Sequence, residues 1–360
     1  MRETDVTSRT LAAPRLPAMP LPDLLDRLLR AHGPSGHEHL AFDVVREAVA
    51  GVAETSTDTV GNLLVQLPGT GGGPSLGVFA HLDVIGLAVA HIGDDGLLST
   101  HTLGVWRAGV GYGQRVEIAT RDGIVHGVVA ARSKDNEKKE WSDLFVDIGA
   151  RDGADARRLV RPGDPMVVAA PPVELANGRI ASRNHDNRAC VYVALEALRR
   201  LAEEPAAADV TVVAGAHEEL GHAGAAAATH SLRPDIALVL DVTYATDVPA
   251  GDASEGGDHR LGGGPAIFRG PAIHPRLFDL LVETAEAEGI PTTVETGMKT
   301  FTDADDTYLS RGGVPTAVVS VPLRNMHSPI EVVDLADLDA CIRLVAAFAR
   351  GLEPGLDLRR

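Results

Sequence analysis

Cysteine is almost missing: Cys190 and Cys341 are the only two in 360 residues. A disulfide-stapled secreted scaffold is therefore excluded, and a reducing compartment is expected. Aromatic residues are scarce too, at 4% of a chain that is 44% hydrophobic. The core must be built from Ala, Val, Leu and Ile, which suits the buried strands of an α/β protein. Positive charge is in short supply, 33 Lys and Arg against 50 Asp and Glu, for a net charge of −17. Nucleic acid and anionic membranes are thus poor partners. No apolar run approaches the ~20 residues of a membrane span. Residues 1–20 carry charge and proline but no apolar signal core. They read as a flexible arm without a secretion signal, and a cytoplasmic location is expected. There is no G-x-S-x-G elbow, so a serine hydrolase is unsupported. Gly109-Val110-Gly111-Tyr112-Gly113 lacks the G-x-G-x-x-G spacing and reads as a loop.

The length exceeds that of a usual single core, so two domains, or one domain with an insertion, are expected. Leu21, Leu24, Leu25, Leu28 and Leu29 mark an amphipathic helix that Gly33-Pro34-Ser35-Gly36 stops. A second helix is expected from about His37 to Val49. Val60–Leu67 reads as a strand, and Leu76-Gly77-Val78-Phe79-Ala80-His81 as a central strand ending in a histidine. After about His91 the pattern changes to short β-type runs. Val116–Thr120 and Ile124–Val129 flank Arg121-Asp122-Gly123, a hairpin signal, and Leu144–Ile148 and Met166–Val168 follow. The tract Lys134–Glu140 reads as a solvated loop. The α/β pattern resumes near Ile180, with a helix from about Asn187 through Arg200, strands at Val210–Val213, Ile236–Asp241 and Pro315–Val321, and helices over 274–288 and from Leu335 to Phe348. The expectation is an α/β/α sandwich with a mixed central sheet over 21–91 and 177–360, interrupted by a small β-rich, barrel-like insertion over 92–176.

Chemistry-bearing residues gather at strand ends, where open α/β sheets place their sites. The strand at Val210–Val213 delivers Glu218-Glu219. Adjacent carboxylates there read either as a solvated acidic turn or as a metal ligand beside a general base. His81 ends another strand, and Asp83, two residues on, faces the same way in extended chain. That suits either a histidine ligand with the carboxylate that orients it, or a surface histidine beside an aspartate. Asp186 heads a helix, where it could equally be an N-cap. Asp241 ends a strand, as a ligand or a turn residue, and His327 follows one, as a ligand or a loop histidine. Two histidines with several carboxylates suit zinc, cobalt or manganese. One aspartate shared between two ions would let five residues serve both. Cys190 reads as a packed thiol, and His185, His217 and His222 as residues around the site or in solvent.

The constellation resembles the cytosolic dinuclear-metal aminopeptidases that assemble as tetrahedral dodecamers, the glutamyl and leucyl aminopeptidase types among them. The matching pieces are Ala80–Gly86, His185-Asp186-Asn187-Arg188, Glu218-Glu219-Leu220-Gly221, Asp241-Val242-Thr243, Leu261-Gly262-Gly263-Gly264-Pro265 and Met326-His327-Ser328-Pro329. The inserted segment resembles that family's dimerisation domain at Phe145–Ala150 and Pro162-Gly163-Asp164. The resemblance implies two divalent ions per chain, zinc first and cobalt or manganese next. His81, Asp186 and Asp241 would hold one ion; Asp186, Glu219 and His327 would hold the other, with Asp186 bridging. It also implies Glu218 as general base, Asp83 as the group orienting His81, peptides as substrates, and dimers assembled into a dodecamer. The chain departs from the family pattern at His217, where glutamine is frequent, at Cys190, and in Leu220-Gly221-His222-Ala223-Gly224. A related deacylase or carboxypeptidase and a non-catalytic assembly protein are the alternatives. A glycosidase would leave the histidines unexplained.

Overall fold

The computed structural model describes residues 20–131, 140–249 and 251–359. The N-terminal arm up to residue 19 and most of the 134–140 tract lie outside the described residues. The protein is an α/β/α sandwich around an eight-stranded sheet. Its strand order is Glu54–Thr57, Leu63–Leu67, Val210–Gly215, Leu76–His81, Ile236–Tyr244, Thr316–Leu323, Ala266–Arg269, Thr293–Thr296. The middle strands Val210–Gly215, Leu76–His81, Ile236–Tyr244 and Thr316–Leu323 are mutually parallel. Antiparallel partners flank them, Leu63–Leu67 on one side and Ala266–Arg269 on the other. Parallel strands covered on both faces read as continuous apolar runs, and every residue of Leu76–His81 and of Thr316–Leu323 is buried.

The parallel register brings ligand-type residues to one edge. Gly215 pairs with His81, so the chain leaving Gly215 reaches Glu218 beside that histidine. Asp241 pairs with Ser320, and extending the Val239–Phe79 pairing by two residues sets Asp241 level with His81. The strand does not end at Asp241 as expected. Val242, Thr243 and Tyr244 continue it, paired with Val321, Pro322 and Leu323, because these β-prone residues find a full-length neighbour. The helix His185–Glu203 packs on Leu76–His81 and Ile236–Tyr244 and against the last helix, Leu335–Arg350. The helix Ala223–Leu232 packs on Val210–Gly215 and Leu76–His81.

The inserted segment closes a six-stranded barrel in the order Gly86–Ile92, Leu98–Leu103, Leu144–Asp147, Gly123–Ala131, Arg115–Thr120, Pro165–Val168. Its first strand begins at Gly86, ahead of the change of pattern seen after His91. The barrel has a core of its own, including Leu87, Leu98, Ile118, Val146 and Met166. Closure leaves no unpaired edge. Ala108–Gly111 forms a short helix rather than the expected loop. The Trp141 ring lies where a Gly111 Cβ would stand, so the bare glycine gives that ring its seat. Among the described residues, no helix is long and apolar enough to cross a membrane.

Candidate metal centre

His81, Asp186, Glu218, Glu219, Asp241 and His327 converge on one site. Asp186 lies at its middle. Its Oδ1 is 3.2 Å from His81 Nε2, and its Oδ2 is 3.3 Å from His327 Nε2. Asp186 therefore does not spend its side chain on capping its helix. Its backbone is non-helical, with φ −77° and ψ 104°, which turns the carboxylate out between the two histidines. Glu218 Oε2 and Asp241 Oδ1 lie 3.6 and 3.9 Å from His81 Nε2. Glu219 Oε2 is 3.7 Å from His327 Nε2. Two groups have donor atoms close enough for a common ion: His81, Glu218 and Asp241, and Asp186, Glu219 and His327.

The fit of this donor set to cations follows from what the side chains lack. Asp83, Asp186, Glu218, Glu219, Asp241 and Asp303 crowd together, and among the described residues only His81, His222 and His327 form ion pairs with them. Glu219 Oε1 is buried without a hydrogen-bond partner. Buried carboxylates need pairing or metal. Burial pushes the Glu219 carboxyl well up, reinforced by Asp186, and burial likewise raises Asp241. Burial opposes ionisation of Asp186, yet hydrogen bonds from His327 and His81 hold its carboxyl below the usual range. Burial pulls His81 down, but Glu218 and Asp186 outweigh it and keep that imidazole well up. Nitrogen and oxygen donors of this kind match zinc, cobalt or manganese.

Two buried carboxylates hold the loops that carry these donors. Asp83 accepts the Glu218 N–H on Oδ1 at 3.0 Å, and on Oδ2 the Glu219 N–H at 3.1 Å and the Ser35 hydroxyl at 2.5 Å. It meets His81 mainly through its main chain: the histidine Nδ1 is 3.0 Å from the Asp83 carbonyl oxygen but 3.6 Å from Oδ1. A carbonyl acceptor there puts the proton on Nδ1 and leaves Nε2 free to act as a ligand. Glu331 does the matching task opposite, accepting the Asp186 N–H at 3.0 Å and the His327 N–H at 3.1 Å. Burial, with Asp186 close by, pushes the Glu331 carboxyl well up.

Glu331 and Asp303 escaped the reading of the sequence. Glu331 opens a β-type run after Pro329, where a charged residue reads as solvated, although it is 2% exposed. Asp303 sits at 2% exposure behind Glu218, and burial lifts its carboxyl to about 8. Cys190 is a packed thiol, its Sγ 3.0 Å from the Asp241 carbonyl oxygen. His185 is fully buried and pushed down to about 3 by burial. His217 is half-buried, and its N–H donates to Glu38 Oε1 at 3.1 Å. His222 bonds to Glu218 and Asp306.

A mixed sheet with this inserted barrel, carrying histidines and carboxylates at the ends of its parallel strands, is the architecture of the metal-dependent aminopeptidases. The chain belongs to the M42 glutamyl aminopeptidase family, whose profile matches residues 61–344. It is 34% identical to the lysyl aminopeptidase of Pyrococcus furiosus, over 92% of this chain and 97% of that one. Among solved structures, it superposes with a TM-score of 0.85 on an aminopeptidase of the archaeon Desulfurococcus kamchatkensis, at 36% identity, covering 92% of this chain and 94% of the other. A Pyrococcus horikoshii peptidase that can assemble into a tetrahedron or a large octahedral shell matches with a TM-score of 0.82 at 28% identity, over 91% and 99% of the two chains.

Proposed function

We propose that this protein removes N-terminal residues from peptides, using two divalent ions held around Asp186. The observation that carries this reading is the division of the Asp186 carboxylate, one oxygen toward His81 and the other toward His327. His81, Asp186 and Asp241 would hold one ion; Asp186, Glu219 and His327 would hold the other. When bound, such ions supply Lewis-acid polarisation of a carbonyl and of water. Zinc suits the donors first, with cobalt or manganese as alternatives.

Glu218 is the general base. Its Oε2 faces the cluster, where it takes a proton from the attacking water and returns it to the leaving amine. Asp83 holds the Glu218 and Glu219 main chain, so the base and its neighbouring ligand keep their spacing. A cavity of about 790 Å³ opens beside Thr243 and Tyr244, just beyond Asp241, walled by Phe268, Met298 and Phe301. We assign it to the side chain of the residue being removed. The shells formed by the Pyrococcus horikoshii peptidase support a homo-oligomeric assembly for this chain, and we assign dimerisation to the barrel.

A peptide panel tests this reading. Peptides with free N-termini should be cleaved and their N-acetylated counterparts spared. A chelator should abolish turnover, and added zinc, cobalt or manganese should restore it. Cleavage of blocked peptides would point instead to a deacylase or carboxypeptidase, and activity in metal-free protein would end the two-ion reading.

A further inference from the structure

His222 lies four positions beyond Glu218. It stands just ahead of the helix Ala223–Leu232 in a left-handed conformation, φ 60° and ψ 17°. Its ring spans two carboxylates. Nε2 is 3.3 Å from Glu218 Oε1, and Nδ1 is 2.9 Å from Asp306 Oδ2. Asp306 belongs to the short helix Ala304–Thr307, which packs on Ala223–Leu232, so the two anchors come from elements in contact. The other oxygen of Glu218, Oε2, faces His81 at 3.6 Å. The base is thus divided as Asp186 is, but with one oxygen turned to the ion cluster and the other to a histidine.

We propose that His222, anchored by Asp306, is a positioning residue for the general base: it fixes one oxygen of Glu218 so that the other faces the reacting water. A carboxylate on an unbranched stem has rotamers that turn both oxygens away from the site. A donor fixed at Oε1 removes that freedom, and a base must lie within hydrogen-bond reach of the proton it takes. The Glu218 hydrogen bond, working against partial burial, lifts the His222 imidazole to about 9. Each ring nitrogen faces one carboxylate, and donation to both takes a proton on each. The side chains of Glu218, His222 and Asp306 are 11%, 22% and 46% exposed, so the anchor lies at the surface and the base within. The proposal rests on the assignment of Glu218 as base.

The test compares His222→Leu, His222→Gln and Asp306→Asn with wild type on one free-amino peptide, together with metal content by mass spectrometry. Misplacing a catalytic group costs up to ~100-fold. His222→Leu should therefore lower kcat by about 10–100-fold, with KM changed less than about threefold and metal content unchanged. His222→Gln, whose amide can still donate to Glu218, should recover most of the loss. Asp306→Asn changes a surface residue, does not threaten the fold, and should show a smaller loss in kcat alone. Wild-type kcat in His222→Leu and Asp306→Asn, a defect confined to KM, loss of metal, or a Gln variant no better than the Leu variant would overturn the positioning role. A wild-type protein inactive on free-amino peptides in the presence of metal would overturn the base assignment as well, so the two failures are distinguishable.

Discussion

Replacing Asp83 with Asn tests whether one buried carboxylate holds the loop that carries Glu218 and Glu219 in place. Asp83 is 0% exposed, and its two oxygens accept both loop N–H groups and the Ser35 hydroxyl. Asparagine keeps one oxygen. In one amide orientation its NH2 faces the Glu218 N–H; in the other it faces the Glu219 N–H and a hydroxyl that can turn away. Either way, one main-chain N–H loses its acceptor inside the protein. A hydrogen bond to a charged group contributes about 1.5–3 kcal/mol, and an orphaned buried donor costs about 1–3 kcal/mol. These overlap, so the net penalty is about 2–3 kcal/mol, with some relief because a neutral side chain needs no compensation for a buried charge. If the loop yields rather than the fold, about 2 kcal/mol is ~30-fold in kcat. Steady-state kinetics and thermal unfolding of the metal-free protein together locate the loss. A kcat within about twofold of wild type and an unchanged melting temperature would show that this carboxylate does not hold the loop.

Glu331→Gln leaves either the Asp186 or the His327 N–H without its acceptor, so affinity at the Asp186–Glu219–His327 position should fall by about 10–100-fold, as supporting groups around metal ligands typically require. Competition with a chromophoric chelator reads this, and wild-type affinity would contradict it. Gly104→Ala tests the contact between barrel and site. Gly104 has a φ of 82°, and a Cβ there would stand 2.8 Å from Ile85 Cγ2 and 3.0 Å from Glu219 Oε2. The left-handed backbone alone costs about 1–2 kcal/mol, and the methyl group should push Glu219 aside. Metal affinity and melting temperature should both drop, and wild-type values for both would refute the contact.

Much of the layered domain was legible because its central strands are almost wholly buried and so read as apolar runs. Leu76–His81 shows this best: an uninterrupted buried strand ends in the one residue a site would want. Where strands end is less legible. Asp241 reads as a terminus by its charge, yet the partner strand Thr316–Leu323 is long enough to carry the pairing on to Tyr244. The glycine run at 109–113 reads as loop because it lacks the G-x-G-x-x-G spacing, whereas Ala108–Gly111 is a short helix with the Trp141 ring against Gly111. Glu331 was invisible for a similar reason. Nothing beside it in the chain says that its carboxylate lies under two loops drawn from Asp186 and His327. Even the contact of Asp83 with His81 was only half legible, since the spacing suggests the side chain while the carbonyl lies closer.

The most direct test of the central claim is Glu218→Gln, with metal content and turnover measured on the same preparation. Glutamine preserves the shape of Glu218 and removes its ability to take a proton. The account predicts two divalent ions per chain, as in wild type, with kcat reduced by about 100-fold or more. Near-wild-type turnover by this variant with both ions bound would contradict it.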